Sequence, residues 1–210
     1  MSVLDRLATS LNRRDEVPNQ ELAQHIVHAD DANAVKELIV NLGHKDKNIQ
    51  SDCIKVLYEI GERRPELVSK YYKEFGKLLE SKNNRLVWGA MTALDMIAMK
   101  EPKGVYSLLA GILATADEGS VITKDHAVGI LIKLASLKQY ADDCEPLLLE
   151  QLARSPNNQF PMYAERSFSV INQKNKKRFQ KVMNERIDGL EKESQKRRVI
   201  KVLKAVQKLG

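Results

Sequence analysis

The amino-acid sequence predicts an all-α fold, a one-dimensional stack of antiparallel helix pairs, on three observations. The apolar set Leu86, Ala90, Ala93, Leu94 and Ile97 has the spacing of one helix face, and it recurs along the chain at shifts of 37 or 35 residues. Each such helix except the last is followed by a second patterned segment. No stretch of alternating β-branched residues competes. A period of about 20 to 50 residues marks repeat architectures, in which each unit buries its apolar face against its neighbours.

The elements follow in order. A helix is expected within residues 1–15, then a degenerate helical pair at 18–44. The first helices of the pairs, here called A helices, carry Ile49, Cys53, Val56, Leu57, Ile60, then the set from Leu86 to Ile97, then Thr123, Ala127, Ile130, Leu131, Leu134. The pattern returns at Phe160, Ala164, Ser167, Phe168, Ile171 and at Gln195, Val199, Val202, Leu203, Val206, with weak spots at Thr123, Ser167 and Gln195. The second, B helices carry Val68, Tyr71, Tyr72, Phe75, then Val105, Leu108, Leu109, Ile112, then Cys144, Leu147, Leu148, Gln151, and finally Phe179, Val182, Met183, Arg186. Pro65 and Pro102 fall where a first helical turn tolerates a missing N–H, and Asp142 or Asp143 would cap a helix entered at Pro146. Polar turns such as SKNN at 81–84 and SPNN at 155–158 join the helices.

Paired helices at this period, with a small residue (Cys53, Ala90, Ala127, Ala164) at a fixed point of the A helix, resemble HEAT repeats and their armadillo and adaptin-like relatives. The resemblance covers about residues 46–210. It implies a right-handed α-solenoid of about five HEAT-like helix pairs in one domain. Residues 1–45 would form an N-terminal cap and degenerate repeat, 46–82, 83–118, 119–155 and 156–193 four repeats, and 194–210 a C-terminal capping helix. It also implies a binding protein rather than an enzyme, since such solenoids mostly engage other macromolecules.

Composition narrows the function. A chain of this length buries roughly 70% of its unfolded surface, enough for a core without staples. Cys53 and Cys144 are the only cysteines and stand far apart in sequence. Neither a disulfide framework nor a zinc site is suggested. Asp5 and Arg6 interrupt any apolar run at the start, and no segment approaches the ~18 apolar residues of a membrane span. A soluble, intracellular, cytoplasmic chain is expected. The net charge of +6 is uneven: residues 174–210 hold 13 Lys or Arg against 4 Asp or Glu.

Three surfaces qualify as sites. Trp88, the only tryptophan, lies roughly 180° from its helix's apolar stripe at ~100° per residue, with Asp95 on the same side. An exposed Trp of this kind marks an outer-face contact; the plainer reading is an indole laid over neighbouring A helices. The off-stripe faces of the B helices carry Lys73 and Lys77, then the small residues Ser107, Ala110, Gly111 and Ala114, then Leu149 and Ala153. The resemblance places B helices on the concave side and so implies a shallow groove with a small-residue floor, suited to an amphipathic peptide. The third surface is the basic end: Lys174, Lys176, Lys177, Arg178, Lys181, Lys196, Arg197, Arg198, Lys201 and Lys204. It would bind nucleic acid in a salt-sensitive way, attract an acidic partner, or form a solvated cap.

Chemistry is weakly signalled. His25 and His28 with Asp30 and Asp31 lack a firm third metal ligand, and no nucleophile, phosphate loop, cofactor motif or catalytic residue is identified. HEAT-like DNA alkylation-repair glycosylases use tryptophans and a catalytic Asp; the spacing here, Thr92 four residues and Asp95 seven after Trp88, does not match their motif, so no catalytic role is carried over and such an enzyme stands as a remote third reading. The leading expectation is a non-enzymatic scaffold that binds a protein or peptide along the B-helix face; the alternative is nucleic-acid binding at the basic end.

Overall fold

The computed structural model describes residues 2–209. Among the described residues twelve α-helices follow one another: α1 (Val17–Ala29), α2 (Ala32–Val40), α3 (Lys47–Arg63), α4 (Tyr72–Lys77), α5 (Asn84–Ile97), α6 (Pro102–Ser107), α7 (Leu109–Glu118), α8 (Val121–Ala135), α9 (Lys138–Arg154), α10 (Phe160–Ser167), α11 (Lys176–Ile187) and α12 (Glu193–Gln207). No strand occurs among the described residues. The chain forms two compact units, residues 1–127 and 128–210, the division falling inside α8.

In the first unit the layer of A helices is α1, α3 and α5, and the most extensive packing runs from α1 to α3 and from α3 to α5. The apolar stripes of α3 and α5 are buried along their whole length. The starts of these helices repeat with the sequence period: Asp46 accepts from the N–H of Asn48 at 2.8 Å and Asn83 from that of Arg85 at 3.1 Å, each satisfying an orphan donor of the first turn. A weak spot of the pattern is also explained. Thr123 is buried on α8 because its Oγ1 donates to Ser120 O at 2.7 Å.

The second unit contains α9 to α12, with α10 packed on α12 and α11 on both α9 and α12. Arg186, which sits on the apolar stripe of α11, is half-buried for a definite reason. Its guanidinium donates to the carbonyls of Leu152, Ala153 and Ser155 at 3.2, 2.5 and 2.7 Å and lies over the Phe160 ring at 4.8 Å. It thus closes the C-terminal end of α9, whose last carbonyls have no helical partner. Burial pulls its pKa down from the ordinary arginine value. Gln195, another weak spot, donates to Asn157 O at 3.1 Å.

Three expectations are corrected. Residues 3–6 form a 3-10 turn rather than an α-helix. The following chain turns back where Asn12 takes a left-handed φ of 54° and the N–H of Arg13 bonds Ala8 O at 2.8 Å. The helix at Pro146 starts eight residues earlier, at Lys138, and carries Pro146 in its interior; Asp142 and Asp143 are therefore mid-helix and cap nothing. Finally, the B helix at 65–80 is a series of short turns, Pro65–Leu67, Ser69–Tyr71 and Leu78–Glu80, around α4. Val68, Tyr71, Tyr72, Phe75 and Gly76 all have low helix propensity, so this stretch follows packing more than local preference.

Candidate functional site

Trp88 owes its setting to its neighbour. A Cβ on Gly89 would lie 2.4 Å from Ile54 Cγ1, so only glycine lets α5 close onto α3 at this point. The close approach leaves Trp88 half-buried on the rim of a pocket of about 840 Å³ on the A-helix face. Trp88 was expected either to lie over neighbouring helices or to mark a contact; it lines a pocket. Asn48, Arg85 and Ile122, one repeat apart, all line it, as do Ser51 and Trp88. The pocket is therefore walled by equivalent off-stripe positions of α3, α5 and α8, with the segment 8–16 as its remaining side.

Ordered ties hold that segment. Asp52 accepts from the N–H of Thr9 at 2.8 Å and from Asn19 Nδ2 at 2.8 Å, while Asn19 Oδ1 accepts from the N–H of Ala8 at 3.0 Å. Arg13 pairs with Asp15 at 2.7 Å. Lys55 bridges Glu16 at 2.7 Å and Glu59 at 2.8 Å, with its ammonium 4.8 Å from the Tyr58 ring centre. Burial would pull the Lys55 pKa down, yet the hydrogen bonds its ammonium donates to Glu16, Glu59 and Tyr58 outweigh it and hold the value above the ordinary lysine range. Burial likewise pushes Glu59 up, and Lys55 and Arg63 outweigh it, holding its carboxyl below the ordinary 4.5. Sequence reading passed over Arg14, Asp52, Lys55, Tyr58 and Arg85. The recurrence at 48, 85 and 122 was the available signal.

Asp95 is corrected as a surface contact: it is only 4% exposed. His126 Nδ1 lies 2.9 Å from Asp95 Oδ2, and His126 Nε2 lies 2.9 Å from Thr92 Oγ1, which also donates to Trp88 O at 2.9 Å. The connectivity is that of an Asp-His-hydroxyl triad. Its position speaks for a tie: Thr92 is inside α5, its hydroxyl is bonded to its own helix, and the surrounding backbone N–H groups belong to the helix ladder rather than to an oxyanion site. The cluster joins α5 to α8.

The predicted groove residues divide between the two units. In the first unit Lys73, Lys77, Ser107, Ala110, Gly111 and Ala114 are all exposed. Ser107, Gly111 and Ala114, with Gly76, Leu79 and Leu108, line a trough of about 520 Å³. Ala153, in the second unit, is exposed, but Leu149 is 8% exposed and belongs to the core of that unit rather than to a groove floor.

The basic residues are not one uncommitted patch. Arg178 pairs with Glu145 at 3.0 Å, and Arg198 grips Glu165 through Nε at 2.8 Å and Nη2 at 2.6 Å. Lys181 pairs with Glu185 at 3.8 Å and Lys196 with Glu193 at 3.5 Å. Lys176 Nζ donates to Leu209 O at 2.9 Å. Lys174 and Lys177 are exposed. Arg197, Lys201, Lys204 and Lys208 flank Ile200 along a depression of about 530 Å³ on α12.

The remaining candidates have structural settings. Asp31 caps α2 through the N–H groups of Asn33 and Ala34, and Asp30 pairs with Arg64 at 2.8 Å. Cys53 and Cys144 are free and buried, and burial, aided by Asp52 and Glu37 for the first and Asp143 for the second, pushes their thiols up to about 12 and about 11. Among the described residues no helix is long and apolar enough to cross a membrane, and no group of three or more His, Cys, Asp or Glu is placed to hold a metal ion.

No protein-family model and no curated protein matches the chain. Solved structures do. A designed armadillo repeat protein in complex with the peptide (KR)4 superposes with a TM-score of 0.67 at 15% identity, covering 89% of this chain and 86% of that one. Computationally designed armadillo repeat proteins for modular peptide recognition give 0.66 at 14%, covering 88% and 86%. An engineered protein gives 0.64 at 19%, covering 99% of both chains. With its helix order and repeated stripes, the chain has the fold of an all-α solenoid of the HEAT and armadillo type.

Proposed function

We propose that this chain is a non-catalytic scaffold that binds a peptide segment of a protein partner on its B-helix face, at the trough of α6 and α7. One observation carries the reading. Gly111 stands in the first turn of α7, where glycine is a poorer helix former than alanine, yet a Cβ there would meet nothing nearer than Leu79 Cδ1 at 3.7 Å. Packing does not require this glycine. With exposed Ala110 and Ala114 beside it, it keeps a strip of bare helix backbone open, which lets a peptide approach closely. Two of the similar solved structures are named for peptide binding or peptide recognition, which supports the same class of partner.

The test selects peptides by display against the intact chain and measures their affinity for Ala114→Glu and Gly111→Lys, both at residues that line the trough. Loss of roughly tenfold or more with unchanged melting supports the trough. Equal affinity for parent and variants places the peptides elsewhere and defeats the proposal.

A second reading rests on α12. Its row of Arg197, Lys201, Lys204 and Lys208 around a partly exposed Ile200 favours salt-sensitive contact with nucleic acid. Charge reversal at Arg197, Lys201 and Lys204 is expected to abolish duplex binding measured by anisotropy at low salt. Absence of low-salt binding by the parent chain removes this reading.

A further inference from the structure

The A-helix pocket contains two cations that the fold does not use. Of its four basic side chains, Arg13 is held by Asp15, and Lys55 by Glu16 and Glu59. Among the described residues, Arg14 and Arg85 have no hydrogen-bond or ion-pair partner on their guanidinium groups, and both are exposed. The acids of the pocket, in contrast, are engaged: Asp15 with Arg13, Glu16 with Lys55, and both oxygens of Asp52 with N–H donors. An anion entering here meets unpaired guanidinium groups and no free carboxylate in need of a partner.

Two further features point the same way. Glu16, Asn48, Arg85 and Ile122 stand at or within two residues of the starts of α1, α3, α5 and α8, so residues at four helix N-termini line the pocket. Each carries the positive end of its helix dipole. The pocket also presents the rings of Trp88 and Tyr58, both half-buried, from neighbouring helices. A half-exposed indole beside a planar guanidinium suits a ligand with its own flat π-face, and stacking on aromatic side chains accepts any base. The volume of about 840 Å³ lies in the range of small-molecule sites.

We propose that this pocket binds a nucleotide, a phosphate joined to a planar base, either free or as a unit of a single-stranded nucleic acid. Arg14 and Arg85 take the phosphate, and Trp88 stacks on the base. This proposal is independent of the trough on the B-helix face and of the basic row on α12.

Trp88 is the only tryptophan, so its fluorescence reports the pocket directly. The full chain is titrated with ADP, with a short oligothymidylate and with an oligoglutamate peptide, each at two salt concentrations. Saturable quenching by ADP identifies a free-nucleotide site, and quenching by the oligonucleotide alone identifies single-strand binding. In either case Arg14→Glu/Arg85→Glu is expected to weaken binding roughly tenfold or more, with the larger loss at low salt. Arg14→Gln/Arg85→Gln repeats the test if the double reversal alters the circular dichroism spectrum. Charge reversal on α12 is expected to leave the quenching in place. The proposal is overturned if neither nucleotide probe quenches Trp88 up to millimolar concentration, if quenching survives loss of both arginines, or if quenching disappears with the α12 variant instead. It is equally overturned if oligoglutamate binds as tightly with the same arginine dependence, since the site would then select acidic peptides.

Discussion

Helices α5 and α7 each carry a glycine, and the two glycines serve opposite ends. Gly89 on α5 is pressed against Ile54, whereas Gly111 on α7 has room for a methyl group. The first allows two A helices to close; the second leaves a B helix bare. The contrast extends to the faces around them. The A-helix face is a polar pocket walled by ion pairs and rings, while the B-helix face is a trough of small residues between short, interrupted helices. One repeat pattern thus yields two chemically distinct surfaces, because the stripe fixes only the buried side of each helix.

The contrast is open to breakage by substitution, beginning with the largest effect. Gly89→Leu forces a side chain into the space of Ile54, and a loss of about 3 kcal/mol or more in urea unfolding is expected. A loss under about 1 kcal/mol would show that α3 and α5 separate without cost. Arg186→Ala removes four hydrogen bonds to the end of α9 and its adjoining turn, together with the stacking on Phe160. About 2–3 kcal/mol is expected, read as a lower melting temperature. His126→Phe withdraws a partner from the buried Asp95 carboxylate, and roughly 2 kcal/mol is expected from the same measurement.

The acid limb of stability sharpens the account of the A-helix face. Glu59 has a folded pKa below its unfolded value of about 4.5, so its contribution is complete above that value. It is lost as pH falls through the folded value. Glu59→Gln is expected to flatten this part of the urea midpoint against pH curve. A curve parallel to that of the parent would mean that the pair with Lys55 contributes nothing. The smallest effect has the opposite sign: Gly111→Ala is expected to stabilise the chain by about 0.5 kcal/mol, where Gly89→Ala destabilises it.

Much of the fold was legible because the repeat is periodic in its apolar residues. Buried positions such as Cys53, Ala90, Ala127 and Ala164 follow directly from the 37-residue shift. The helix limits around Pro146 and in residues 3–15 were not legible. Proline is tolerated inside α9 in the context of its packing, and the first residues are fixed by Asp52 and Asn19, which are distant in sequence. The site was legible in part. Ala110, Gly111 and Ala114 emerge on an exposed face as their angular position requires. Angular position alone misplaced Asp95, since an off-stripe residue near the end of α5 is covered by His126 of the next A helix. Nor could charge counts show that Arg178 and Arg198 are engaged by Glu145 and Glu165, because those pairings join residues 33 apart.

The most direct test of the peptide-binding assignment is hydrogen exchange on the intact chain with and without a display-selected peptide. The peptide is expected to slow exchange across residues 107–118 while leaving α3 and the first turns of α5 unchanged. Protection confined to α3 and α5, with the α6 and α7 amides unaffected, would contradict it and assign peptide recognition to the A-helix face.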